Sequence, residues 1–279
     1  MAGLRASEWT DVPQLKELWK LAFGDEDGYI DNFFRTAYAP ERVLVLEQDG
    51  AVRAMTAWFD MPVMRANGIQ WPSAYLYAVA THPDFRGRGL AGQLLDFAAR
   101  RLKENGFVCL TTVPARPDLH VFFEQNGFEE CFVLRQWEHK AHSGTAALPL
   151  EPVAAHEYGV LREQALAGTD HVGCGPVALD YQAGVCALSG GNLYRVGEKG
   201  CACVELSGDK VFVKELLCPA GEQAAALAAI GERHPAKRCW VRTPYAGQGE
   251  QWAFAMLKWL LPTPEWNKKT APYLGLAFD

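Results

Sequence analysis

The sequence predicts an α/β (α+β) protein in two domains, and three observations predict it. At 279 residues the chain is about twice a common domain length. Segments of strand and helix character alternate through its first half, and all periodicity is lost once, over residues 143–152. The expected division is a first domain over 1–142, a linker over 143–152 and a second, smaller domain over 153–279.

The elements follow from local chemistry. Residues 4–9 read as a strand, and Thr10-Asp11-Val12-Pro13 starts a helix with proline in its first turn. Leu15, Leu18, Trp19 and Ala22 give that helix one apolar face; Gly24 stops it, and a second helix turns Tyr29, Ile30, Phe33 and Phe34 inward. Two strand patterns flank Gln48-Asp49-Gly50, which is a hairpin signal. Residues 75–81 form a strong strand, and a glycine-rich loop then leads into a helix that closes at Asn105-Gly106. Residues 107–113 return to strand, a short helix over 118–125 stops at Asn126-Gly127, and 128–137 is strand again.

Composition narrows the function. Hydrophobic residues at 49% and charged residues at 22% supply a buried core, which excludes disordered and fibrous classes. A net charge of −6 advertises no basic face for nucleic acid. No apolar run reaches the roughly 18 residues that span a bilayer, and no signal stretch follows Met1. A soluble, cytoplasmic protein without nucleic-acid or membrane partners is expected. The eight cysteines contain no Cys-x-x-Cys pair and read as reduced, mostly buried thiols. Cys201 and Cys203 share one face of a strand, two ligands short of a metal site, and core packing with no metal is the expectation.

The loop that follows the third strong strand carries the chemistry. It reads Phe85-Arg86-Gly87-Arg88-Gly89-Leu90-Ala91-Gly92 and opens a helix whose first amides point into it. Glycines let backbone approach a phosphate, free amides and the helix dipole favour negative charge, and two arginines add full positive charges. A pyrophosphate suits such a cradle. The Walker loop is excluded, since no Gly-Lys-Ser/Thr appears. Gly87-x-Gly89-x-x-Gly92 fits the dinucleotide fingerprint as a string, but it lies mid-chain, four residues past its strand, and the next strand ends in Val113-Pro114-Ala115-Arg116 without the acid that holds a ribose.

Arg86-x-x-Gly89-x-Ala91, the strand ending Val79-Ala80-Thr81-His82-Pro83 and the Phe122-Phe123-x-x-x-Gly127-Phe128 ending together resemble the GNAT superfamily of acyl-CoA-dependent N-acyltransferases. The resemblance extends over the helix pair and hairpin of the first half. It implies the GNAT fold, a mixed and mostly antiparallel sheet flanked by helices, with acetyl-CoA as co-substrate. Arg86, Gly87, Arg88, Gly89, Leu90, Ala91 and Gly92 would then hold the CoA pyrophosphate. The backbone of Val79, Ala80 and Thr81 would hold pantetheine and thioester, with the Val79 amide at the oxyanion. The implied reaction moves an acetyl group to a primary amine of a small molecule or peptide by direct attack on the thioester. Non-catalytic acyl-CoA binding or sensing is the alternative, because Phe123 stands where family members often place a proton-donating tyrosine.

Three residues are candidates for proton handling. Tyr77, like Tyr75, lies on the strand leading to Val79; His120 precedes Phe123 on the same short helix. The third is the Asp279 terminus, by similarity to two-domain Eis aminoglycoside acetyltransferases, which bring their own C-terminal carboxylate into the active site. Core packing for the tyrosines and surface exposure for His120 are the plain alternatives. Asp25-Glu26-Asp27 with Asp31 either faces a cationic acceptor or caps helices at the surface, and His139-x-x-His142 reads as surface.

The second half repeats the first in reduced form. Residues 74–83 lie over 210–219, residues 108–114 over 238–244, and residues 132–137 over 254–259. The spacing lost between the first two blocks is the length of the Arg86 to Ala91 loop. A degenerate GNAT-like copy without a cofactor site is expected.

Overall fold

The computed structural model describes residues 3–140, 147–235, 238–244, 249–262 and 272–278. The chain gathers into two units. One comprises Met1–Pro62, Trp71–Glu130 and Met256–Trp266, the other Val63–Gln70, Cys131–Ala255 and Asn267–Asp279. No described helix is long and apolar enough to cross a membrane.

In the first unit, β1 (Gly3–Ala6) is followed by α1 (Val12–Phe23) and α2 (Asp27–Thr36), then by the hairpin β2 (Val43–Gln48) and β3 (Ala51–Asp60). The hairpin turns through Asp49 and Gly50, both left-handed at φ 55° and 73°, as the Asp-Gly signal requires. Strand character from residue 4 ends at Ala6, earlier than expected. The Asp11 carboxylate accepts the Glu8 amide at 2.8 Å and bends residues 8–11 into a single tight turn. After the short strands β4 (Val63–Met64) and β5 (Gln70–Trp71) come β6 (Ser73–Thr81), α3 (Leu90–Glu104), β7 (Cys109–Thr112) and α4 (Asp118–Gln125).

The strand order is β1-β2-β3-β6-β7, with Met256–Trp259 from near the end of the chain in the sixth place, antiparallel to β7. β6 and β7 are parallel, α3 making the crossover; the other ladders are antiparallel. Val43 to Leu46 are all buried, because both faces of β2 are covered. Leu44 and Leu46 pack with Leu94, Leu95, Ala98 and Leu102 of α3. Around α1 and α2, Trp19 lies 4.9 Å from the Phe33 ring and 5.4 Å from the Tyr77 ring.

Arg5 ties this face down by donating to Asp11 at 2.6 and 2.9 Å. That bond holds the Asp11 carboxyl below its ordinary range, against the opposing effect of burial. A carboxyl depressed in the folded state adds stability above its unfolded pKa, about 3.9, and loses it as pH falls through the folded value. Acid titration of stability should therefore steepen below about pH 4, and Asp11→Asn should flatten it.

The second unit contains β8 (Glu129–His139) from Cys131 onward, β9 (Leu150–Pro152), α5 (Ala155–Ala165), β10 (His171–Val172), α6 (Pro176–Ser189), β11 (Asn192–Val196), β12 (Gly200–Ser207), β13 (Lys210–Leu217), α7 (Gln223–Arg233), β14 (Arg238–Thr243) and the first part of β15 (Glu250–Trp259). Its order is β9-β11-β12-β13-β14-β8. β13 and β14 are parallel with α7 as the crossover, and the remaining ladders are antiparallel. The two sheets thus run through the same places in the same senses. The segments aligned by sequence are β6 with β13 in the fourth place, β7 with β14 in the fifth, and β8 with β15 in the sixth. β15 sits in the first sheet and β8 in the second, each completing the sheet that the other half of the chain began.

Two segments depart from the expected division at residues 143–152. Leu150–Pro152, inside the expected linker, pair with β11 as an edge strand, where a proline removes no ladder bond that the sheet needs. Val63–Met64 from the first half pair with β10, and the neighbouring Arg65 donates to Asp170 at 3.0 Å. Residues 143–146 of the linker, His142 and Asp279 lie outside the described residues.

Candidate functional site

The site forms where the first sheet opens. β6 pairs with β3 as far as Thr81 opposite Ala54, but with β7 only from Ser73 to Tyr75. Between those limits the β3 ladder slips by one residue, and Ala78 adopts a left-handed backbone at φ 51°. That conformation costs a non-glycine residue about 1–2 kcal/mol, and a bulge that re-aims a strand beside a site is where such strain is kept. Beyond Leu76, whose carbonyl accepts the Thr112 hydroxyl at 3.2 Å, β6 has no ladder partner on its β7 side among the described residues. Val79, Ala80 and Thr81 therefore present an open backbone edge.

The chain runs from that edge into the glycine loop. His82 Nδ1 accepts the Asp84 amide at 3.3 Å and starts a single turn over Pro83–Phe85. Gly87 and Gly89 follow at φ 72° and 74°. A Cβ at either would meet nothing within 4 Å, so glycine is required here for its backbone and not for room. Gly92 differs, since a Cβ there would lie 3.1 Å from Asn126 Oδ1. Gly89 is the N-cap of α3 and brings no capping side chain. The first helical bond runs from the Gln93 amide to the Gly89 carbonyl at 3.1 Å. The amides of Leu90, Ala91 and Gly92 thus have no acceptor within the helix and, with its dipole, favour an anion.

The two arginines brace the loop as well as charging it. Arg86 Nε donates to the Thr81 carbonyl at 3.2 Å, which takes up one of the main-chain groups expected for pantetheine. Arg88 Nη2 donates to the Asp84 carbonyl at 2.9 Å, and its guanidinium stacks 4.8 Å from the Phe85 ring. The same ring is approached by a second cation, which sequence reasoning missed. Arg53 of β3 lies 4.3 Å from the Phe85 centroid, and nothing in an alternating strand pattern marks it out. Two buried polar atoms here, Arg53 Nε and Thr81 Oγ1, have no partner among the described residues. Unsatisfied donors and acceptors beside an uncapped helix start fit a polyanionic, hydrogen-bonding ligand.

The proton-handling candidates separate. Tyr77 shares β6 with Val79, and its hydroxyl lies 2.8 Å from that of Tyr29 on α2. It is also ringed by aromatics, with Tyr75 stacked at 6.5 Å and Phe59 at 5.8 Å. His120 Nδ1 is bonded to the Glu130 carboxylate. Phe123 is buried among Leu94, Leu95 and Phe128, with Val79 packed against the same cluster. The acidic cluster is largely paired: Asp25 accepts from Trp19 Nε1 at 2.8 Å, Asp27 from Lys20 at 2.7 Å and Asp31 from Lys16 at 2.6 Å. These are partners that a helix surface supplies by itself.

Residues 4–131 match the family model described as an acetyltransferase (GNAT) domain. The chain carries a GNAT acetyltransferase domain. The reaction such a domain brings is acyl transfer from an acyl-CoA. No curated protein matches the chain, but many solved structures do. A GCN5-related N-acetyltransferase from Anabaena variabilis ATCC 29413 aligns at TM-score 0.76 and 17% identity, covering 94% of this chain and 73% of that one. One from Kribbella flavida aligns at 0.72 and 17%, covering 93% and 72%. Eis1 from Mycobacterium abscessus aligns at 0.69 and 11%, covering 92% and 74%. At these identities the likeness is one of fold, and it runs through both halves of the chain.

Proposed function

We propose that the protein is an N-acetyltransferase that moves an acetyl group from acetyl-CoA to a primary amine of a small molecule or peptide. One observation carries this reading. The bulge at Ala78 leaves the Val79–Thr81 edge open and leads directly into the uncapped amides of Leu90, Ala91 and Gly92. An extended thioester arm would pair with the edge while its pyrophosphate rests on the amides, with Arg86, Gly87, Arg88 and Gly89 forming the cradle. The amine nitrogen attacks the thioester carbon, the Val79 amide receives the developing oxyanion, and the C–S bond breaks. The departing thiolate takes a proton. Tyr77 is the group proposed to supply it, its hydroxyl backed by that of Tyr29. His120, committed to Glu130, is the weaker candidate for that proton, and the proton that the attacking nitrogen sheds passes to the Asp279 carboxylate as base or to solvent. The second unit is proposed to be a degenerate copy. It keeps the bulge, since the β12–β13 ladder slips at Lys214, which aligns with Ala78, but it has no glycine loop before α7.

The test is calorimetric binding of acetyl-CoA followed by thiol release with a panel of amines. Binding with amine-dependent release supports the proposal, and folded protein that takes up no acetyl-CoA rejects it. Tyr77→Phe should leave binding unchanged and lower turnover by about a hundredfold. Removal of Asp279 alone distinguishes the rival base. The buried, hydroxyl-free Phe123 favours a second reading, a non-catalytic acyl-CoA-binding protein. Binding without release from any amine would select it.

A further inference from the structure

In the second unit, α6 and β12 present four ligand-bearing side chains to one another. Gln182 and Cys186 lie one helical turn apart on α6, and Cys203 and Glu205 lie on one face of β12. The two sulfurs are 3.5 Å apart. Gln182 Nε2 lies 2.7 Å from Glu205 Oε1 and 3.4 Å from Cys186 Sγ. One ligand atom each of Cys186, Cys203 and Glu205 falls within 4.8 Å of the others. Cys201 shares a strand face with Cys203, as the sequence indicates, but the sulfur that meets Cys203 comes from α6.

We propose that Cys186, Cys203, Glu205 and Gln182 form a four-coordinate site for a thiophilic divalent cation, with zinc as the ion that suits it. Bonds of about 2.3 Å to sulfur and 2.0–2.2 Å to oxygen in a tetrahedron put ligand atoms about 3.5–3.8 Å apart. The sulfur pair already has that spacing, and the carboxylate reaches it by a small side-chain turn. Gln182 is fully buried, and its Oε1 has no partner among the described residues. Turned about its last bond, the amide sets that oxygen between the same thiol and carboxylate as the fourth ligand. Two thiolates exclude magnesium and calcium, which take oxygen ligands, and favour zinc among abundant ions. Glu205 is only partly buried and opens the way in, whereas both cysteines are shielded. Binding releases the two thiol protons to solvent and changes no oxidation state. In the metal-free protein burial, and then the bond to Cys186, push the Cys203 thiol well above its ordinary value.

Cobalt(II) is the probe. The reduced, metal-stripped full chain should take up one equivalent, with the visible bands of a tetrahedral thiolate site and a sulfur-to-cobalt charge-transfer band, and zinc should abolish both. Cys186→Ser and Cys203→Ser should weaken uptake by about tenfold or more, the scale on which even outer-sphere partners of a metal act. Cys239→Ser, outside the cluster, should not. Because a buried cysteine variant can fail to fold, Glu205→Gln is included. It should also weaken uptake while leaving circular dichroism unchanged. Absence of the bands at one equivalent, uptake indifferent to these variants, or recovery of Cys186 and Cys203 joined as a disulfide that takes up no cobalt would each overturn the site.

Discussion

Glu215→Ala should cost the second unit about 3–5 kcal/mol, enough to unfold many domains, because it strands a buried cation. Glu215 is fully buried on β13, and its carboxylate accepts the Tyr158 hydroxyl at 2.7 Å and Arg162 Nε at 2.9 Å. Arg162, about as deeply buried, spends Nη1 on the Val172 carbonyl at 2.9 Å. Burial first, and then the Glu215 charge, push the Tyr158 phenol well up, so it serves here as a neutral donor. Removing either ion leaves the other desolvated, whereas replacing both with apolar residues of similar size removes the penalty with the attraction. Arg162→Met alone should therefore be as damaging as Glu215→Ala, and Arg162→Met with Glu215→Leu should recover most of the loss. Urea unfolding of the three variants checks this. Single variants within about 1 kcal/mol of wild type would show that the pair is not the compensated unit its geometry describes.

Gly89→Val is the second large effect, and it falls on binding. At φ 74° a β-branched residue must strain or rearrange the turn, costing about 1–2 kcal/mol or more. Rearrangement turns away the amides of Leu90, Ala91 and Gly92 on which the proposed pyrophosphate rests. Acetyl-CoA affinity should fall about 10- to 100-fold, equivalent to about 1.4–2.8 kcal/mol. Global stability should drop less than this suggests, because the loop is exposed and an added Cβ clashes with nothing. Gly92→Ala is the contrast, since its Cβ presses on Asn126 and its cost is packing. Calorimetry with thermal unfolding separates the two. Unchanged affinity in Gly89→Val would remove the loop from the binding site.

What was legible in the sequence is what local chemistry dictates. The Asp49-Gly50 turn, the end of α3 at Asn105-Gly106, β6 and the glycine loop are each fixed by a few neighbouring residues, and they stand where those residues predict. The open edge at Val79–Thr81 needed more. It depends on a slip against β3 and on the β7 ladder ending at Tyr75, and neither is written in the alternation of β6. Arg53, Tyr29 and Glu130 act through partners distant in sequence and carry no spacing signal. The expected linker misled for a related reason. Leu148-Pro149-Leu150-Glu151-Pro152 has loop composition, but an edge strand tolerates proline once β11 is there to pair with it.

The placement of β15 bears on how the protein is made. β7 leaves the ribosome with one edge uncovered, and its partner Met256–Trp259 is not translated until more than half of the chain has followed. At about 5–20 residues per second that delay is on the order of ten seconds. Throughout it the nascent first sheet offers an unpaired strand to any passing chain. A fragment cut at the apparent boundary would keep that edge for good, because the matched segment 4–131 lacks the strand that fills the sixth place in its sheet.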